Sequence, residues 1–118
     1  MARYVDGFLL AVPKKKLAAY KAMSSKAGKI WREHGALEYV ESVIDDVPNG
    51  FGVPFPKAAK AKPGEVVVFS WIVYKSRAHR NAVNKKVMAD PRLNADQDAM
   101  PFDHKRMSWG GFTALVDL

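Results

Sequence analysis

The chain has 118 residues, a formal net charge of +7, 48% hydrophobic and 11% aromatic residues, and no cysteine. One domain over residues 1–118 is expected from that length, burying roughly two-thirds of its unfolded surface. The lack of cysteine excludes disulfides, thiolate metal sites and cysteine nucleophiles. No apolar run approaches the ~20 residues that span a bilayer, and the N-terminus enters a strand pattern without a charged-then-apolar leader. A cytoplasmic protein with no membrane segment is therefore expected.

The positive charge is unevenly spread. Residues 1–35 hold eight Lys/Arg against two acids and residues 57–92 hold nine against two, whereas residues 36–56 hold four acids and no base. Such blocks suit nucleic-acid binding, but basic residues that solvate outer helix faces make the same pattern.

Arg3 to Val12 alternates as a first strand, with Tyr4, Asp6, Phe8 and Leu10 on one side and Val5, Gly7, Leu9 and Ala11 on the other. The smaller second set suits close packing beneath a helix. Pro13 is expected to open that helix, where its missing N–H costs nothing. Leu17, Tyr20, Met23, Ala27, Ile30 or Trp31, and His34 supply its apolar stripe, and Gly35 its left-handed cap. Ala36 to Asp46 reads as a mixed-face edge strand with Leu37, Tyr39, Glu41 and Val43 on one side. The connection from Val47 to Gly64 has four prolines and three glycines. A loop of that length acts as a lid or a partner-embracing arm, or packs as a surface Ω-loop.

Glu65 to Tyr74 is the central strand, and it is apolar on both faces: Val67, Phe69, Trp71 and Val73 on one, Val66, Val68, Ile72 and Tyr74 around the lone Ser70 on the other. Ser76 caps a second helix running to about Ala89, with His79, Ala82, Val83 and Val87 as its stripe and Asp90-Pro91 as its stop. Arg92 to Lys105 is irregular, with room for one short helical turn. Arg106 to Leu118 makes the last strand, where Gly110-Gly111 suggests a bulge or tight curvature.

Strand–helix–strand–strand–helix–strand is the α+β, ferredoxin-like βαββαβ arrangement, a four-stranded antiparallel sheet with its first and third strands central. Right-handed crossovers put both helices on one face. The other face then lacks cover apart from the long loop, whichever side of the central strand it is. An apolar patch of that size exceeds what monomers usually expose, and a second copy of the chain is the simplest cover.

The segments Tyr4-Val5-Asp6-Gly7-Phe8, Trp31-Arg32-Glu33-His34-Gly35-Ala36, Lys62-Pro63-Gly64-Glu65, Phe69-Ser70-Trp71 and Tyr74-Lys75-Ser76-Arg77 resemble the YbaA-like bacterial family of unknown function. Asp90-Pro91-Arg92, Met100-Pro101-Phe102-Asp103, Lys105-Arg106-Met107 and Gly110-Gly111-Phe112 extend the likeness over nearly the whole chain. The resemblance implies a dimeric α/β barrel, in which two such sheets pack face to face and enclose a cavity. That superfamily includes cofactor-independent monooxygenases, isomerases, decarboxylases and heme-handling proteins. No catalytic residue carries over, and a glycine common in the family at the position of His104 speaks against a general role for that histidine.

Asp6 is the first candidate for a ligand pocket: a carboxylate between Tyr4 and Phe8 would be desolvated, which suits a general base or a polar anchor. A structural Asp paired with a base is the alternative. Glu41 and Ser70 could reach the same chamber as polar points among apolar walls. Tyr4, Tyr74, His79 and Trp109 complete the candidates. The histidines lack metal-ligand spacing, and no phosphate-binding glycine pattern or catalytic triad is present, so neither a metal nor a cofactor is expected. A homodimer binding a small organic ligand between sheet and helices is the leading expectation, and cofactor-independent catalysis is compatible with it. RNA binding through the basic helix faces and a non-catalytic dimeric scaffold are the alternatives.

Overall fold

The computed structural model describes residues 2–48, 50–94 and 100–118. Strand β1 (Tyr4–Pro13) leads through a 3-10 turn (Lys14–Lys16) into helix α1 (Leu17–Glu33), then strand β2 (Glu38–Val43). A four-residue helix α2 (Phe55–Ala58) interrupts the long connection before β3 (Glu65–Tyr74). Helix α3 (Arg77–Met88), the short α4 (Pro91–Asn94), a 3-10 turn (His104–Arg106) and β4 (Ser108–Thr113) complete the order. The sheet is antiparallel in the order β2-β3-β1-β4. That is the ferredoxin-like arrangement expected from the element order, with the two most apolar strands at its centre.

Several boundaries differ from the sequence expectation. Pro13 closes β1 instead of opening the helix, because its partner Glu65 continues the β1–β3 ladder to that point. β2 and β4 are shorter than expected, although the N–H groups of Leu37, Ile44 and Ala114 just outside them still donate to the carbonyls of Val73, Val67 and Arg3. Gly110 and Gly111 cause no bulge: they pair in regular register with Gly7 and Asp6. Gly111 is required for a different reason, since a Cβ there would overlap the Tyr4 hydroxyl and ring. Gly35 takes φ +116° after α1, as a helix-ending glycine should. In the 92–105 stretch, α4 and the start of the 3-10 turn lie at the two ends, and residues 95–99 are outside the described residues.

The assignment of faces is reversed from that expected for β1. The bulky side, with Tyr4, Asp6 and Leu10 on β1 and Val68, Ser70, Ile72 and Tyr74 on β3, is buried beneath the helices. Ile30, Val83 and Val87 pack onto one half of it, and Tyr20 onto the other. The small side (Val5, Gly7, Leu9) faces away. Volume explains the choice: the helices need large side chains to fill the space beneath them, whereas Gly7 leaves room for the Phe112 ring, 3.5 Å from where a Cβ would stand. On α3, Ala82 is exposed and the buried stripe narrows to Val83 and Val87.

One helical layer on one sheet makes a slab of 38 × 37 × 20 Å. The far face is covered only in part by the 47–64 connection, where Phe55 meets Phe69 with centroids 5.9 Å apart and Ala59 is buried. Phe51, Val53, Phe69 and Phe112 remain exposed. Among the described residues, no helix is long and apolar enough to cross a membrane. Each fully buried Leu, Ile or Val is worth roughly 1.5–3 kcal/mol, against about 0–1 kcal/mol for an exposed ion pair. The seven largest fully buried side chains, Tyr74, Leu10, Ile30, Val12, Val68, Val83 and Val87, therefore dominate the stability.

Arg106 ties the segment before β4 to the start of β3. Arg106 donates to both Glu65 oxygens (2.8 and 2.7 Å), to Asp103 Oδ2 (3.1 Å) and to the Lys60 carbonyl (3.0 Å). The guanidinium, and the Lys62 N–H behind it, hold the Glu65 carboxyl down at about 2. A depressed folded-state value means stability that is present above the ordinary glutamate range and lost on acidification toward pH 2. Glu65→Gln is expected to lower Tm by a few degrees at pH 6–7, with the difference shrinking below about pH 4.5. Melting curves across that range would test this, and a gap that widens on acidification would contradict it.

Candidate functional site: a cavity between sheet and helices

A cavity of about 770 Å3 opens between the inner face of the sheet and the helical layer. Its floor is the bulky face of β1, β2 and β3, its side is α1, and its far wall carries Phe102, Met107 and Trp109. The floor exists because alternate residues on three adjacent strands project to the same side. Phe8, Ser70 and Glu41 lie in one row across the strands, and Asp6, Ile72 and Tyr39 in the next. Of the residues that the sequence singles out, Asp6, Glu41, Ser70, Tyr74 and Trp109 line this one cavity. Ser70, small and buried, leaves open the space a larger side chain would fill.

Tyr4 and His79 are not in the lining. Tyr4 lies under the guanidinium of Arg80, 4.9 Å from its ring centroid, and its hydroxyl accepts from Arg80 Nη2 at 3.1 Å. His79 Nδ1 accepts from the Lys75 backbone N–H at 2.9 Å, while the His79 N–H donates to the capping Ser76 hydroxyl. Its ring is thus committed to the start of α3. His34 closes the end of α1 on Asp90, 2.9 Å away.

Two carboxylates define the polar ends of the cavity. Asp6 is 3% exposed, and its Oδ1 stands 3.5 Å from Arg80 Nη1 without a hydrogen-bond partner. Burial raises the Asp6 carboxyl above the ordinary aspartate range, opposed by the Arg80 charge and by hydrogen bonding with Tyr74 and Asn84. Tyr74 and Asn84 are tied in turn to Trp31, whose Nε1 donates to both at 3.1 Å. The other end is Glu41, on the row of Ser70 but two strands from Asp6. Tyr20 donates to its Oε1 at 2.7 Å and Tyr39 to its Oε2 at 3.2 Å. Burial, with the charge of Glu41 second, pushes both phenols above their ordinary values, so they act there as neutral donors.

Arg80, Asn84, Tyr20, Tyr39 and Trp31 are not among the site residues that the sequence suggests. Arg80 and Asn84 sit one helical turn apart beside the Val83–Val87 stripe, and that spacing is the available signal. No local pattern reveals that a basic side chain at the start of α3 reaches inward to Asp6, on a strand 74 residues away in the chain.

Residues 3–104 match the family described as "Protein of unknown function (DUF1428)". The chain belongs to this family. One member, "Uncharacterized protein YbaA" of Escherichia coli strain K12, is 49% identical over 115 residues, covering 98% of each chain. At 12% identity, the DUF1428 chain described here shares its fold with SnoaB, a cofactor-independent oxygenase from Streptomyces nogalater. The TM-score is 0.62, over 100% of this chain and 98% of that one. A dimeric ferredoxin-like protein from an uncultured marine organism is similar with a TM-score of 0.60, over 100% of both chains, also at 12% identity.

The cavity wall depends on one close approach in this DUF1428 chain. A Cβ on Gly28 of α1 would lie 2.6 Å from the Tyr39 ring, so glycine alone lets α1 rest on the side chain that donates to Glu41. Gly28→Ala is expected to cost about 1–3 kcal/mol in urea unfolding, and much less in a Tyr39→Ala background. Equal costs in the two backgrounds would mean that the helix adjusts elsewhere.

Proposed function

We propose that this protein is a homodimer that holds a small, largely apolar organic molecule in the cavity between its sheet and its helices, with Asp6 as a polar anchor. The observation that carries the proposal is the cavity. Its volume of about 770 Å3 falls within the usual ligand-site range of roughly 300–1,000 Å3. Its walls are mainly aromatic and aliphatic, and two carboxylates interrupt them. An unpartnered buried carboxylate oxygen costs free energy unless something offsets it, and a ligand donor at the Asp6 end would do so. The similar fold of SnoaB, a cofactor-independent oxygenase, supports a role in which the protein supplies the pocket and a proton acceptor without a resident cofactor.

A broad thermal-shift screen of neutral and charged aromatic compounds tests the pocket. A stabilising ligand is expected, and its Tm increment should fall in Asp6→Asn. That substitution leaves Arg80 without a charged partner and lowers stability in its own right. Ser70→Leu therefore serves as a second variant, filling the cavity without removing a charge, and it too should abolish the shift. A blank screen on folded protein would refute the pocket.

The dimer rests on the far face of the sheet, where Phe69, Phe112 and Phe55 are exposed beside Trp71. Aromatic side chains of this kind are the usual centre of a buried interface. The dimeric ferredoxin-like neighbour of the same fold supports pairing of two copies. Phe69→Glu should convert a dimer to a monomer in sedimentation analysis. A wild-type protein that sediments as a monomer at tens of micromolar would remove this half of the proposal.

A further inference from the structure

Resting on the pocket reading, we propose that the ligand is an organic cation: an aromatic or apolar body carrying a protonated amine, whose nitrogen sits at Glu41. Three observations point to this chemistry. First, the partners of Glu41 among the described residues are the two phenol hydroxyls of Tyr20 and Tyr39. The wall's basic side chains are Lys26 and Arg92; Arg92 is engaged by Asp90 and Glu33 at 2.8 and 2.7 Å, and Lys26 is engaged as well. An inward carboxylate whose partners are neutral donors still attracts a counter-cation.

Second, aromatic rings surround that end. Phe102 meets Tyr20 edge-on at 5.7 Å, and Trp31 lies against Tyr39 at 6.1 Å. Ring faces around a carboxylate are the general means by which proteins hold ammonium groups. Third, the opposite end is already electrically balanced, because Asp6 faces Arg80, and Asp6 Oδ1 there, like Arg80 Nε, is buried with no hydrogen-bond partner. It accepts a neutral donor, such as a ring N–H or O–H, in place of a second cation.

The sheet sets the length of the molecule. Asp6 and Glu41 are two strands and two residues apart, which separates their Cα atoms by about 12 Å. With each side chain reaching inward, that leaves room for one or two fused rings and a short alkylamine arm. An anionic arm would meet the Glu41 carboxylate and should be rejected. On the outer side of the Tyr39–Glu41 pair, Lys21, Lys29 and Arg32 border an open depression. Glu41 lines that depression as well as the cavity.

Calorimetric titration with tryptamine, tryptophol and indole-3-propionate tests the inference, because the three share a ring and differ in the charge of the arm. Tryptamine should bind about tenfold tighter than tryptophol, and the carboxylate should bind weakest. Glu41→Gln, which keeps the shape and one carbonyl acceptor while the second tyrosine must turn to accept from the new NH2, should erase the tryptamine preference. Tyr20→Phe, which keeps the charge, should preserve it. Equal binding of tryptamine and tryptophol, or a preference that survives Glu41→Gln or vanishes in Tyr20→Phe, would overturn the cation assignment and leave the pocket standing. If none of the three binds, the assignment falls. The pocket falls with it only if the broad screen on neutral aromatics is also blank.

Discussion

β3 is apolar on both sides, and the chain has helices enough for one. Val68, Ile72 and Tyr74 vanish under α1 and α3, while Phe69 stays open to water on the reverse. This imbalance shapes everything else in the molecule. It makes the slab thin, leaves the 47–64 connection as partial cover for the far face, and supplies the surface on which the proposed dimer rests. Burial is the largest favourable contribution a chain of this size has, so a face left wet is a standing incentive for association.

Within the covered half, the helices do not press down evenly. Small residues mark the points of contact and of clearance. Gly28 lets α1 approach Tyr39, and Gly111 makes room for Tyr4. Ser70 keeps the middle of the floor low. The space that remains is a cavity, and the polar groups that the sheet projects into it have second partners, Asp6 Oδ1 excepted. Trp31, Tyr74 and Asn84 form one such linked set, and Tyr20, Tyr39 and Glu41 another. Linked polar groups of this kind hold one another in place, which suits the recognition of one molecule over another. The two sets differ in charge: the Asp6 end contains its own guanidinium, and the Glu41 end has neutral hydroxyls. That asymmetry is the basis for assigning a polarity to the ligand.

The comparison with SnoaB concerns architecture. In this chain the strand order and helix placement leave a chamber beneath the helices, above the small Ser70. What distinguishes this chain is which groups line the chamber. An acid buried among aromatics is legible at Asp6 from residue order alone, because a carboxylate on the Tyr4–Phe8 face has no local reason to be there.

The alternation of apolar residues determined the strands, their order and the ferredoxin-like topology, since period and turn chemistry are local properties of the chain. It also marked Asp6, Glu41, Ser70, Tyr74 and Trp109 as members of potential cavity walls. Only the tertiary structure decided which side of β1 lies beneath the helices, because both sides are apolar enough and the choice depends on the volume between layers. It also placed Arg80 against Asp6 and both tyrosines on Glu41, and it kept His79 at the start of α3. Those contacts join residues far apart in the chain, and their geometry follows from how the layers pack and not from any spacing along the sequence.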